Sequence, residues 1–211
     1  MFRAVAARLK AGVIALALAG LVGGWAASAG VVGGRASKPL RRAVARTDLR
    51  PVFRLAEKGL RRHFPDWRVM RRGDFDAGVV RFAQKRGHRG EGPERCVGDF
   101  DGNGLMDVAL VVRKGDFVRF VALNQTKPGQ WEPHVLSGDT YRGGLQGGYK
   151  GFTIFLVRRG PGEIPYWPEC ANGPTGRFGL NHPGIEIVFA GKAASVYYWA
   201  TAHYISMQTA D

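Results

Sequence analysis

The sequence predicts a mainly β chain with one N-terminal helix, an α+β class built on a largely antiparallel sheet or sandwich. Three observations predict it. Beyond Trp67 the chain breaks into short apolar or alternating runs rich in Val, Ile, Phe and Tyr, each bounded by Gly, Pro or Asp, the signature of strands joined by turns. Before that point a single mature segment carries apolar residues at helical spacing. Composition sets the scale: with 45% hydrophobic and 23% charged residues, 211 residues suffice for one domain with a sizeable core, and a second would be crowded.

From the N-terminus, Arg3, Arg8 and Lys10 precede an apolar run from Ala11 to Trp25 and then Ala27-Ser28-Ala29. A positive head, an apolar middle and a small-residue cleavage site are the order of a secretory signal, so residues 1–29 are assigned as a signal peptide cut after Ala29. The run is short for a membrane span, an uncleaved anchor being the alternative. The mature chain is therefore expected in the periplasm or outside the cell, with no stable membrane span. Residues 30–50 hold Gly33, Gly34, Pro39 and five arginines without apolar periodicity, which reads as a basic linker or a poorly ordered mature N-terminus. The domain is then residues 51–211.

Within it, Val52, Phe53, Leu55, Ala56, Leu60 and Phe64 predict the helix, capped at Asp48 and stopped by Pro65. Strands are expected at Val79 to Ala83, Val108 to Val112, Phe117 to Leu123, Trp131 to Leu136, Phe152 to Val157, Ile185 to Phe189, Val196 to Ala200 and Tyr204 to Met207. The glycine-rich stretch Gly143 to Gly151 and the Pro-rich stretch Pro161 to Pro174 read as loops.

Removal of residues 1–29 takes away three of 31 basic residues and none of 17 acidic ones, leaving a formal charge of +11. Such a field favours anionic partners, which outside the cytoplasm means an envelope polymer, lipid head groups or an acidic protein more than nucleic acid. The alternative is arginine used simply as the solubilising residue. Cys96 and Cys170 are the only cysteines, and an even pair in an exported chain is a disulfide candidate. Closing a loop of roughly 75 residues would stabilise the fold by about 4 kcal/mol. Two buried free thiols are the other reading.

The segment from Gly98 to Leu110 reads Gly-Asp-Phe-Asp-Gly-Asn-Gly-Leu-Met-Asp-Val-Ala-Leu, placing side-chain oxygens at Asp99, Asp101, Asn103 and Asp107. Calcium takes six to eight oxygen ligands, and alternating Asp and Asn on a tightly turning backbone supply them. Asp99, Asp101 and Asp107 bring three charges, Asn103 a neutral oxygen and Leu105 its carbonyl. Gly102 and Gly104 permit the left-handed turns such a wrap requires. A helix-loop-helix calcium hand is excluded, because its twelfth position would be Leu110 in place of glutamate and Asp107 to Val112 is strand-like.

This DxDGNGxxD stretch resembles the integrin-type FG-GAP and VCBS-like calcium-binding repeats, in which the loop joins two strands and the last Asp completes the site. The resemblance implies calcium at Asp99, Asp101, Asn103, Leu105 and Asp107 and covers about 15 to 25 residues of a small exported protein of bacterial type. One full copy is present. Gly73-Asp74-Phe75-Asp76-Ala77-Gly78 echoes its start but has Gly78 and Phe82 where later ligands should stand, so a seven-bladed propeller is excluded.

No HExxH, GxSxG or GxxxxGK[ST] pattern is present, and His134, His182 and His203 have no ligand spacing. Arg72-Gly73-Asp74 is a three-residue chance match to a receptor tripeptide. Trp131, Tyr166, Trp167, Tyr197, Tyr198 and Trp199 are either core or a glycan-stacking face. The leading expectation is thus a non-enzymatic, calcium-stabilised exported module that binds an anionic envelope polymer or a protein. Two alternatives stand beside it: a hydrolase of an extracellular polymer using two of Asp139, Glu163, Glu169 and Glu186, and a structural subunit of an envelope assembly.

Overall fold

Two neighbouring strands that are apolar on both faces set the layering. Strands β3 (Asp107–Lys114) and β4 (Phe117–Lys127) pair antiparallel, with Val108 opposite Leu123 and Leu110 opposite Val121. Because strand side chains alternate, Val108, Leu110, Val112, Val121 and Leu123 enter one core cluster. Ala109, Val111, Val118, Phe120 and Ala122 enter another. Their continuous apolar runs are the mark of strands covered on both sides.

The computed structural model describes residues 48–87, 90–137, 141–142, 151–166, 176–191 and 193–210, all within the unit Lys38–Asp211. The assigned signal peptide, and all of the basic linker except residues 48–50, lie outside them. Among the described residues no helix is long and apolar enough to cross a membrane.

Helix α1 (Arg50–His63) covers the first face of the β3–β4 pair through Phe53, Ala56 and Leu60, each at most 2% exposed. Its N-cap is Leu49 rather than Asp48, although Asp48 accepts the Arg50 N–H at 3.1 Å and so supplies one orphan donor with a partner. Phe64 closes the helix immediately before Pro65, as the restricted residue preceding proline requires. At Gly59 the helix approaches β5 (Gln130–Val135) so closely that a Cβ would lie 2.8 Å from the Trp131 ring.

Strand order in the first sheet is β1 (Arg68–Val69), β3, β4, β5, with β2 (Arg95–Gly98) also pairing β3 and β6 (Tyr141–Arg142) pairing β4. The second sheet runs β12 (His203–Ala210), β11 (Ala193–Ala200), β10 (Gly184–Phe189), β7 (Ile154–Arg159). Phe155, Leu156, Ile185 and Ile187 of this sheet share a cluster with Ala109, Val111 and Phe120 of the first. Helix, sheet and sheet therefore stack as layers, and among the described residues the named strands of both sheets pair antiparallel. A separate hairpin, β8 (Gly162–Tyr166) and β9 (Gly176–Leu180), joins Ile164 and Leu180 to Val196 in a small third cluster.

The strand expected at Val79 to Ala83 is instead part of a second helix, α2 (Ala77–Arg86). Asp76 caps it by accepting the Gly78 N–H at 2.7 Å, and Val79 and Ala83, four residues apart, are its buried positions. A short apolar run fits either element, and the capping aspartate decides for the helix. Likewise β8 replaces part of the loop expected from Pro161. Gly143 to Lys150, also expected as loop, lies outside the described residues.

Candidate metal centre

β2 and β3 form an antiparallel pair closed by Gly98 opposite Asp107, so the loop from Asp99 to Met106 is a strand-loop-strand connection. The sheet thereby fixes both ends of the Asp-rich segment. Asp99, Asp101 and Asp107 come together, each offering a carboxylate oxygen within 4.8 Å of the others, a set able to hold a metal ion. Gly102 and Gly104 take φ of +78° and +84°, the left-handed turns that fold the loop inward.

Hydrogen bonds set the orientation of each group. Asp107 is fully buried; its Oδ2 accepts the N–H of Phe100 at 2.7 Å and of Asp101 at 3.3 Å, and its Oδ1 accepts the Gln125 N–H at 2.8 Å. Burial pushes its carboxyl up to about 7, with the Asp101 charge adding to the rise and the three backbone donors opposing it. Asp101 Oδ1 accepts the Asn103 N–H at 3.1 Å, and Asn103 Oδ1 accepts the Leu105 N–H at 2.7 Å. Asp99 Oδ2 accepts the Gly104 N–H at 3.1 Å, whereas its Oδ1 is buried with no hydrogen-bond partner. A buried orphan oxygen among carboxylates is costly alone and is satisfied by a cation. The residues present therefore fit a metal, and their all-oxygen chemistry fits a hard one.

Three further side chains abut the loop, and the motif alone could not find them. Asn124, buried at the end of the apolar half of β4, receives the Tyr204 hydroxyl at 2.7 Å and reaches Asp101 Oδ2 with its Nδ2 at 3.4 Å. Tyr204 comes from the second sheet, and burial holds its hydroxyl well above the usual tyrosine range. The only hint in sequence is a polar residue following Val121-Ala122-Leu123. His182 lies against Gly102, where any Cβ would run into its ring.

Other expected residues are dispersed. His134 packs edge-on to Trp199 and Tyr204 at 5.0 and 5.7 Å, and burial lowers its pKa. His203 Nδ1 lies 3.2 Å from the Thr201 carbonyl. Trp131 packs on α1, Tyr166 and Tyr198 on Phe178, and Tyr197 on the main core, so the aromatics divide among separate contacts; Trp167 lies outside the described residues.

Among the carboxylates considered for hydrolysis, Glu186 is buried against Arg86 at 2.9 Å and Glu163 is exposed beside Arg177 at 3.5 Å. Asp139 and Glu169 lie outside the described residues. Asp74, in the echo of the motif, is clamped by both terminal nitrogens of Arg68 at 2.9 and 3.0 Å. Cys96 is a free, fully buried thiol whose pKa burial raises well above normal. The expected bridge to Cys170 is thus not formed at Cys96, and Cys170 itself lies outside the described residues. The chain matches no known protein family, and no curated protein or solved structure is detectably similar to it.

Proposed function

We propose that this chain is an exported, calcium-stabilised, non-enzymatic module whose basic surface binds an anionic envelope polymer. The observation that supports it is the convergence of three carboxylates on one loop, with a buried Asp99 oxygen left without a donor. Calcium is favoured because the set offers only oxygens: three aspartates, the Asn103 amide and the Leu105 carbonyl, as in the FG-GAP pattern the segment resembles. Water would complete the six to eight ligands the ion takes. The loop joins β2 to β3, so a cation there ties two strands together rather than presenting a substrate site. The formal charge of +11 that remains once residues 1–29 are removed supports the polymer part of the reading.

Calorimetric titration of the purified full chain with calcium and with magnesium, beside an Asp101→Ala, Asp107→Ala double variant, tests the metal. Calcium is expected to bind the parent alone, with magnesium weaker because it demands a tighter octahedron. Equal heats from parent and variant sink the assignment. Retention on immobilised polygalacturonate that is lost at high salt tests the polymer, and no retention at low salt removes it.

A further inference from the structure

The helix and the first sheet enclose a cleft of about 440 Å³ whose lining includes no residue of the Asp99 to Asp107 loop. Its walls are Glu57, Leu60 and Arg61 of α1 and the segment Trp67 to Arg72, and Glu94 and Arg95 complete the lining at the start of β2. Five arginines and two glutamates line it, but they are not equally engaged. Arg68 is held by Asp74. Arg95 lies 3.4 Å from Glu94 and stacks over Phe53 at 4.1 Å. Arg61, Arg71 and Arg72 are exposed and make no ion pair among the described residues, and Arg72 reaches only the Glu91 carbonyl at 3.5 Å. Three guanidinium groups without an ion pair thus line one concavity, with Glu57 one turn before Arg61 as the exposed-side carboxylate they outnumber, and such groups prefer a planar or tetrahedral oxyanion.

A second observation concerns the other end of the ligand. Glu94 is 6% exposed, lines the cleft, and leaves its Oε2 buried without a hydrogen-bond partner. The terminal torsion of a glutamate is broad, so this oxygen can turn to accept from an occupant's hydroxyl. An anion directly beside Glu94 would be repelled, which places the charge at the arginines and the neutral hydroxylated body inside. The volume falls in the range of small-molecule sites, and Trp67, Leu60 and Met70 supply apolar wall.

We propose that this cleft binds a sugar carrying a phosphate or carboxylate group, its oxyanion held by Arg61, Arg71 and Arg72 and a hydroxyl held by Glu94. That such a sugar is a unit of a polymer rests on the proposed function above; the cleft's charge and shape do not.

The test is an NMR titration of the full chain, reading the Trp67 indole N–H, with glucose 6-phosphate, glucuronate, inorganic phosphate and glucose. The parent is expected to bind the two anionic sugars more tightly than inorganic phosphate, and glucose not at all. Arg61→Gln with Arg71→Gln weakens the anionic sugars about tenfold or more, since each charge-assisted bond contributes more than a neutral one. Arg81→Gln with Lys85→Gln removes the same charge from the exposed side of α2 and leaves binding within about twofold. Equal weakening by both pairs, equal affinity for inorganic phosphate and glucose 6-phosphate, or no shift at Trp67 overturns the cleft. Polygalacturonate retention separates the two readings: sugar binding without retention upholds the cleft and removes the polymer, whereas retention without sugar binding does the reverse.

Discussion

Calcium addition is the perturbation whose size the site allows to be worked out. The proposed calcium set counts three carboxylates, one amide oxygen and one carbonyl as protein ligands, and Asp99, Asp101 and Asn103 are not fully buried. Such a partly hydrated set belongs with extracellular modules, whose dissociation constants are about 10⁻⁴ to 10⁻³ M. At 10 mM calcium, binding to the folded state alone then stabilises by about 1.4 to 2.7 kcal/mol. For a domain of this size each kcal/mol raises the melting temperature by about 2–4 °C, so the expected rise is about 3 to 11 °C. Thermal melting in 10 mM calcium against excess chelator, at pH 8, reads it. Asp107→Asn keeps one oxygen for the Phe100 and Asp101 N–H groups and removes the most buried charge, so its melting temperature is expected to rise by less than about 1 °C with calcium. In chelator it should not fall far, because lost carboxylate repulsion offsets the lost bond from Gln125. A parent insensitive to calcium, or a variant as responsive as the parent, refutes the reasoning.

Four other outcomes follow from the same geometry. With Asp107 raised to about 7 by burial, the chelated folded state holds a proton that the unfolded chain releases near 4. Its contribution is full below about pH 4 and lost as pH climbs through 7, so the chelated melting point should fall between pH 5 and 8, a slope that Asp107→Asn removes and its persistence there would contradict. Gly59→Ala should destabilise by about 1–2 kcal/mol in urea, despite alanine's better helix propensity, because its Cβ meets Trp131; a stabilised variant would show that the ring moves freely. Arg86→Met strands the buried Glu186 carboxylate and should cost about 2 kcal/mol, below the value for a fully buried pair because Arg86 is one-third exposed; an unchanged urea midpoint argues against it. Tyr204→Phe removes the 2.7 Å bond to Asn124 and should cost about 1–2 kcal/mol while leaving the calcium shift intact, which calorimetry and melting together check.

What was legible in the sequence followed from local chemistry. The runs at Val108 to Val112 and Phe117 to Leu123 became strands because apolar β-branched residues covered on both faces have few other solutions. Phe53, Ala56 and Leu60 announced α1 by spacing. Val79 to Ala83 misled because five apolar-rich residues carry no period, and the information lay in Asp76 and its bond to the Gly78 N–H. The short strands β1 and β9 were not legible: Arg68-Val69 is too short to show a period, and in Gly176 to Leu180 only Phe178 and Leu180 alternate, between glycines, so both depend on pairing with β3 and β8.

The loop divides in the same way. The convergence of Asp99, Asp101 and Asp107 was readable from spacing, since a turn that alternates Asp and Asn around glycines specifies its own curvature. The contacts that connect it to the rest of the molecule were not, because they arise only when the sheets stack. Asn124 lies 23 residues beyond Asp101 and Tyr204 a further 80, yet the hydroxyl, the amide and the carboxylate form one chain of polar contacts from the second sheet to the loop. A cation drawing Asp101 toward Asp99 and Asp107 would compete with Asn124 for the same carboxylate. The Tyr204–Asn124 pair can remain intact in that event, since Asn124 uses its oxygen toward Tyr204 and its nitrogen toward Asp101. Calcium would then tighten the β2–β3 connection without loosening the contact between sheets, which is the behaviour required of a stabilising ion rather than of a switch.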